Sequence, residues 1–205
     1  MANSTARFGM RPVRYAWGAP YNGACNSYFA TGATGAIYIG DPVVLAGSAN
    51  TGAVQGYDAG TLPTVTVAAD GDADPIHGVC VGVLAVTNQS TTYRGDSTDR
   101  IIMVADDPNL IFEVATDAVT TAWAATDVGS YANMIAGTGS TVTGFSGWYA
   151  DTSDGPSTTD ASNQLLIMRL SSRTGNAIGA NAVYEVMVNN HGYANVGDAG
   201  RFTAV

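Results

Sequence analysis

The stretch Ile76-His77-Gly78-Val79-Cys80-Val81-Gly82-Val83-Leu84-Ala85-Val86-Thr87 decides the fold class. Val79, Val81 and Val83 alternate with Cys80, Gly82 and Leu84, so both sets of alternating positions are apolar or small. A period of two places the two sets on opposite faces of an extended strand, and a strand apolar on both faces is buried on both. Working outward, short apolar runs bounded by turn residues predict strands at residues 36–39 and 42–46, split by Gly40-Asp41, and at 64–68, 100–105, 110–115, 141–150, 164–170 and 183–189. In the last of these Val183, Glu185, Met187 and Asn189 alternate with Tyr184, Val186 and Val188. Turn-rich loops separate the runs at residues 47–60, 69–75, 88–99 and 151–162. Residues 117–126 alone read as a short helix, with Asp117 as its N-cap. About nine short strands at this spacing predict an all-β fold, a β-sandwich or barrel, rather than βαβ units.

Composition points the same way. The 205 residues include 25 glycines, no lysine and only two glutamates, Glu113 and Glu185, so the residues that coat exposed helices are missing. All eight cations are arginines and fifteen of the seventeen acids are aspartates, for a net charge of −9. Without lysine there is no Schiff-base catalysis, no pyridoxal-phosphate anchor and no phosphate-loop lysine. The acidic balance argues against nucleic acid as a partner, because such binding neutralises phosphates with clustered cations. No apolar run approaches the ~18 residues of a membrane span, and the N-terminus has no apolar core of the signal-peptide type. The expectation is a soluble protein made in a reducing cytoplasm, with Cys25 and Cys80 as unpaired thiols and no membrane partner.

The cations are unevenly placed. Arg7, Arg11 and Arg14 lie in the first fourteen residues with no acid among them, and no cation follows until Arg94. Phe8, Met10, Pro12, Val13, Tyr15 and Trp17 interleave with these arginines. Arginine mixed with aromatic and methionine side chains anchors protein interfaces. The chain therefore divides into an extended N-terminal arm, residues 1–17, and a single β-rich domain, residues 18–205. Arg7, Phe8, Arg11, Arg14 and Trp17 are the candidate interface residues.

Nothing comparable points to catalysis, a cofactor or a metal. Asp70, Asp72 and Asp74 have the i, i+2, i+4 spacing that opens a calcium loop, but Pro75 stands where that loop needs glycine and Val81 where it needs glutamate. A solvated turn is the better reading, with an irregular Ca²⁺ site as the alternative. Gly144-Phe145-Ser146-Gly147-Trp148 lacks the second flanking glycine of a nucleophile elbow, and Gly137-Thr138-Gly139 does not continue as a dinucleotide fingerprint. His77 and His191 sit in no catalytic motif, and Cys80 lies within an apolar strand, where a thiol is buried and inert. Asp106-Asp107-Pro108 reads as a turn between strands.

Several stretches together resemble a family of small virion proteins of tailed bacteriophages, the head decoration or cement proteins. They are Arg7-Phe8-Gly9-Met10-Arg11-Pro12-Val13-Arg14, Tyr38-Ile39-Gly40-Asp41-Pro42-Val43 and Val104-Ala105-Asp106-Asp107-Pro108-Asn109-Leu110-Ile111-Phe112-Glu113-Val114. Ala125-Thr126-Asp127-Val128-Gly129, Ile178-Gly179-Ala180-Asn181-Ala182 and Val188-Asn189-Asn190-His191 continue the series in order across nearly the whole chain. The resemblance implies a compact β-rich fold, often a jelly roll, that binds the outside of the capsid as a dimer or trimer, with the major capsid protein as partner and no catalytic residues. The expected function is thus structural, with no enzymatic activity and a location on the capsid exterior of the virion. The alternative is a receptor- or glycan-binding module of a phage tail or head, which exposed aromatics such as Trp148 and Tyr149 beside the 151–162 loop would favour.

Overall fold

The computed structural model describes residues 3–32, 35–71, 75–117, 122–153, 156–159 and 162–193. The protein is all-β and is built as a closed five-stranded barrel lying against a five-stranded antiparallel sheet. Among the all-β forms that the sequence leaves open, a barrel is the one that closes.

The sheet has the most apolar strands at its centre. Leu-Ile-Phe-Glu-Val-Ala of β7 (Leu110–Ala115) and Val-Tyr-Glu-Val-Met-Val of β12 (Val183–Val188) are buried along their whole length and pair with each other. On one side β1 (Met10–Tyr15) adds to β7, and on the other β11 (Leu165–Leu170) and β8 (Tyr131–Ala132) complete the order β1-β7-β12-β11-β8. Phe112, Val114, Tyr184, Val186 and Val188 alternate onto the inner face and form the main core with Met10, Tyr15, Trp123, Trp148, Leu165 and Ile167. A two-stranded ribbon of β9 (Met134–Ile135) and β10 (Tyr149–Ala150) lies next to this core.

The barrel runs β2 (Asn26–Ala30), β4 (Pro63–Val67), β3 (Pro42–Ala49), β5 (Gly78–Val83) and β6 (Arg100–Ala105), and closes where β6 pairs antiparallel with β2. Closure removes the free edges that an open sheet would expose. Tyr28, Ala30, Ile37, Val43, Val65, Cys80, Ile102 and Val104 fill its interior. The two-faced strand read from the sequence sits between the two cores: Val79 packs into the sheet core and Cys80 into the barrel core. Val81 joins Val79 on the sheet core, and a register shift between Cys80 and Gly82 then turns Val83 to the barrel core.

Several expectations change. Residues 36–39 form no strand and hold their place by single bridges, Ile37 to Arg94 and Ile39 to Phe145. Residues 141–150 keep only the two residues of β10, because a turn at 141–143 and the left-handed Gly144 (φ 76°) break the extended run. The 76–87 strand narrows to β5, since its partner β6 begins only at Arg100. Part of the helix read at 117–126 falls on residues 118–121, outside the described residues; the described part holds a single 3₁₀ turn at Ala125–Asp127. Asp117 itself is buried and accepts a hydrogen bond from the Thr152 hydroxyl. Asp72 and Asp74 also lie outside the described residues.

Candidate interaction surface

The segment read as an arm is extended, but it docks on its own chain. Met10–Tyr15 pairs with β7 as the edge strand of the sheet, and Met10 and Tyr15 enter the main core. Just before β1 the segment crosses the barrel at Gly40, where Met10 N–H donates to Gly40 O at 2.9 Å. Glycine is needed on both sides of this crossing. Gly9 (φ 69°) and Gly40 (φ 98°) are left-handed, and a Cβ at either would lie 2.2 Å from a backbone oxygen of the other strand.

On the outer face of the sheet the register sets a charged row across four strands. Arg11 opposes Glu113, Glu113 opposes Glu185, and Glu185 opposes Arg169. Two glutamates directly opposite each other repel. Four arginines offset this. Arg11 pairs with Glu113, which also accepts the Ser171 hydroxyl at 2.5 Å and has Arg173 at 3.9 Å. Arg14 places Nε and Nη2 on Glu185 Oε2 at 3.1 and 2.7 Å, and Arg169 reaches Oε1 at 2.8 Å. Burial alone would push the Glu185 carboxyl up, but the hydrogen bonds and charges of Arg169 and Arg14 outweigh it and hold it below the usual range. The only two glutamates of the chain therefore serve as the charged centre of the sheet's outer face.

The remaining candidates are more available. Trp17 is 63% exposed in the turn after β1 and stacks on Tyr15 with centroids 4.6 Å apart. Phe8 is partly buried, with the Arg11 and Arg173 guanidiniums each 5.5 Å from its ring centroid. Arg7 lies over the Tyr149 ring at 3.4 Å. Two concavities flank this segment. One, about 430 Å³, is apolar and lined by Phe8, Met10, Pro12, Tyr21, Val81 and Phe145, with Arg11 at its rim. The other, about 330 Å³, is polar and lined by Arg7, Phe145 and the hydroxyl residues Thr5, Thr138, Ser140 and Thr143. Trp148 is 3% exposed in the core, so it offers no surface, whereas Tyr149 supports Arg7.

Sequence reasoning missed one polar cluster altogether. It brings together His77, His191, Tyr28, Asp106 and Tyr193. Tyr28 O–H donates to Asp106 Oδ2 at 2.6 Å, and Asn26 donates to both Asp106 oxygens at 3.0 Å. With its proton so committed, Tyr28 accepts from His77 Nε2–H at 2.7 Å and from Tyr193 O–H at 3.3 Å. This chain assigns the Nε2–H tautomer to His77 and leaves its buried Nδ1 without a partner. Burial raises the Tyr28 hydroxyl above its ordinary range, reinforced by the Asp106 bond, and lowers the His77 imidazole despite the Asp106 charge. The Tyr193 ring packs edge-on at 4.4 Å from His77, so the cluster ties the barrel to the segment after β12. Its members come from four separate stretches of chain, around residues 28, 77, 106 and 191–193, and no spacing in the sequence announces it.

Cys25 is exposed and Cys80 buried, both free, and burial pushes the Cys80 thiol up to about 12. Among the described residues no three His, Cys, Asp or Glu side chains converge as metal ligands, and no helix is long and apolar enough to cross a membrane. No protein-family model, no curated protein and no solved structure matches this chain.

Proposed function

We propose that the protein is a structural component of a bacteriophage virion, a decoration or cement protein. It binds the outer surface of the capsid, with the major capsid protein as partner, and stabilises it as a homo-oligomer without enzymatic activity. The observation that carries this reading is the surface around β1, where exposed Trp17 and an apolar concavity bounded by Phe8, Pro12 and Phe145 sit beside arginines in a molecule of net charge −9. An aromatic and arginine patch is the composition of a protein-binding hot spot, and the acidic remainder keeps crowded copies apart. Weak single contacts gain roughly 10²–10⁴ in avidity when oligomers engage a repeating lattice.

Arg11 and Arg14 already hold Glu113 and Glu185, so this reading puts the burden of attachment on Trp17, Phe8 and Arg7. Co-sedimentation with purified capsids of the encoding phage tests it. Trp17→Ala removes a largely exposed ring and is expected to lower occupancy by roughly tenfold or more with unchanged thermal unfolding. Failure of the unaltered protein to sediment with capsids overturns the reading.

A second reading, a receptor- or glycan-binding module of a phage tail or head, draws on the polar concavity, whose hydroxyls and flanking Arg7 and Phe145 suit a sugar. Copy number separates the two. Abundance comparable with the capsid protein favours the cement role, and a few copies per particle the receptor role.

A further inference from the structure

We propose that Arg7 heads a carboxylate-recognition site for an acidic peptide segment, taking an Asp or Glu side chain in the polar concavity while an apolar neighbour of that residue seats in the groove across Phe145. This rests on the reading that the surface around β1 meets a protein, and it names the chemistry of the segment that is met.

Among the arginines of the described residues, Arg7 stands apart. Arg11 and Arg173 are taken by Glu113, and Arg14 and Arg169 by Glu185. Arg94 and Arg100 are buried and donate to backbone carbonyls, Arg94 to Gly95 O at 3.2 Å and Arg100 to Leu84 O at 3.1 Å. Among the described residues Arg7 meets only the Tyr149 ring, 3.4 Å below its guanidinium carbon. Stacking uses the face of the guanidinium and leaves its in-plane N–H groups as donors, the geometry that binds a carboxylate in a fork. The ring also fixes the plane before any ligand arrives, so less side-chain entropy is lost on binding.

The surroundings complete a site. Hydroxyl residues Thr5, Thr138, Ser140 and Thr143 line a concavity together with Arg7, about 330 Å³ in volume. Its floor is rigid: a Cβ on Gly137 would lie 2.0 Å from Gly147 O, so the two backbones are in direct contact. Phe145, 49% exposed, walls both this concavity and the apolar groove of about 430 Å³. A carboxylate bound on one side of Phe145 thus has an apolar slot immediately on the other. A peptide supplies both groups on adjacent residues. An acidic sugar would fill the polar half and leave the groove empty.

The test is an amide and arginine side-chain NMR titration of the full chain with acetyl-Asp-Leu-amide, alongside acetyl-Asn-Leu-amide and glucuronic acid. The expected result is shifts at Arg7, Phe145 and Met10–Tyr15 with the Asp peptide, and binding about tenfold weaker or more for the Asn peptide and for Arg7→Gln. The Asn peptide reads the carboxylate without altering the protein, so the result does not depend on how the variant folds. Equal binding of the two peptides, binding of the Asp peptide undiminished in Arg7→Gln, no shifts with the Asp peptide, or glucuronic acid binding as tightly as that peptide would each overturn the proposal. Because no capsid is present, a positive titration together with failure of the unaltered protein to sediment with capsids rejects the virion reading and leaves this site standing.

Discussion

Asp41 carries an ionisable group in a place that disfavours its charge. It is 2% exposed in the turn after Gly40, and burial pushes its carboxyl up to about 6, against the lowering effect of the Ser146 hydroxyl and the Tyr38 N–H at 2.8 Å. The folded state therefore holds this proton more tightly than the unfolded chain does. The stability that Asp41 contributes is full below its unfolded pKa of 3.8 and is lost as pH rises through about 6. Asp41→Asn keeps an acceptor for the Tyr38 N–H and removes the charge. It is expected to raise the melting temperature at pH 8 by several degrees, for a gain of at most about 3 kcal/mol, and to lose that advantage at pH 4. Equal shifts at both pH values would show that Asp41 is not buried as a charge. His77 acts with the opposite sign, because burial lowers its pKa and the unfolded chain takes up the proton more readily. Its contribution is lost as pH falls below the 6.5 of a free imidazole, so the two residues oppose each other in mildly acidic solution. Neither effect was legible beforehand. Asp41 reads as an ordinary turn residue and His77 as a lone histidine, and only the packing of Ser146, Tyr28 and Tyr193 around them changes that.

The strands that could be read from the sequence are those whose ends are marked by local chemistry. Residues 100–105 and 110–115 are strands with the expected bounds, because Asp106-Asp107-Pro108 turns the chain between them. β1 carries no strand signal of its own. Its arginines and Pro12 break the apolar alternation, its partner β7 lies about a hundred residues away, and the register shifts between Pro12 and Arg14. Pairing with β7 and burial of Met10 and Tyr15 make it a strand, and the charged row on the outer face that comes with them can be tested. Glu185→Gln leaves Arg14 and Arg169, 27% and 55% exposed, without their shared anion and is expected to cost about 1–2 kcal/mol in urea unfolding. Arg169→Ala removes a side chain that is 55% exposed and is expected to cost under about 1 kcal/mol. Similar costs for the two variants would mean that the row follows the sheet rather than supporting it. The region 141–150 fails in the other direction: Phe145 and Trp148 favour strands, but Gly144 turns the chain and Trp148 is drawn into the core of the sheet.

For the molecule as a whole, the consequence is that the attachment segment and the fold cannot be separated by truncation. Deleting residues 1–17 would strip β1 from the sheet and Met10 and Tyr15 from the main core. The truncated chain is expected to melt at least ten degrees lower or to aggregate, measured by thermal unfolding and light scattering, since each large core side chain removed costs about 2–5 kcal/mol. A deletion that melted like the full chain would show that β1 adds nothing to the sheet. Point changes at Trp17 and Arg7 are therefore the cleaner probes of binding. Legible in the residues alone are the all-β class, most strand positions, the two-faced burial of Val79 and Cys80, and the cluster of three of the eight arginines near the N-terminus. These follow from periodicity and composition, which are local properties of the chain. Strand order and packing are what make the N-terminal segment an edge strand, give both glutamates to four of the eight arginines, and leave Arg7 lining a concavity. A charged side chain's partner is set by strand order and register, which join residues up to 171 positions apart.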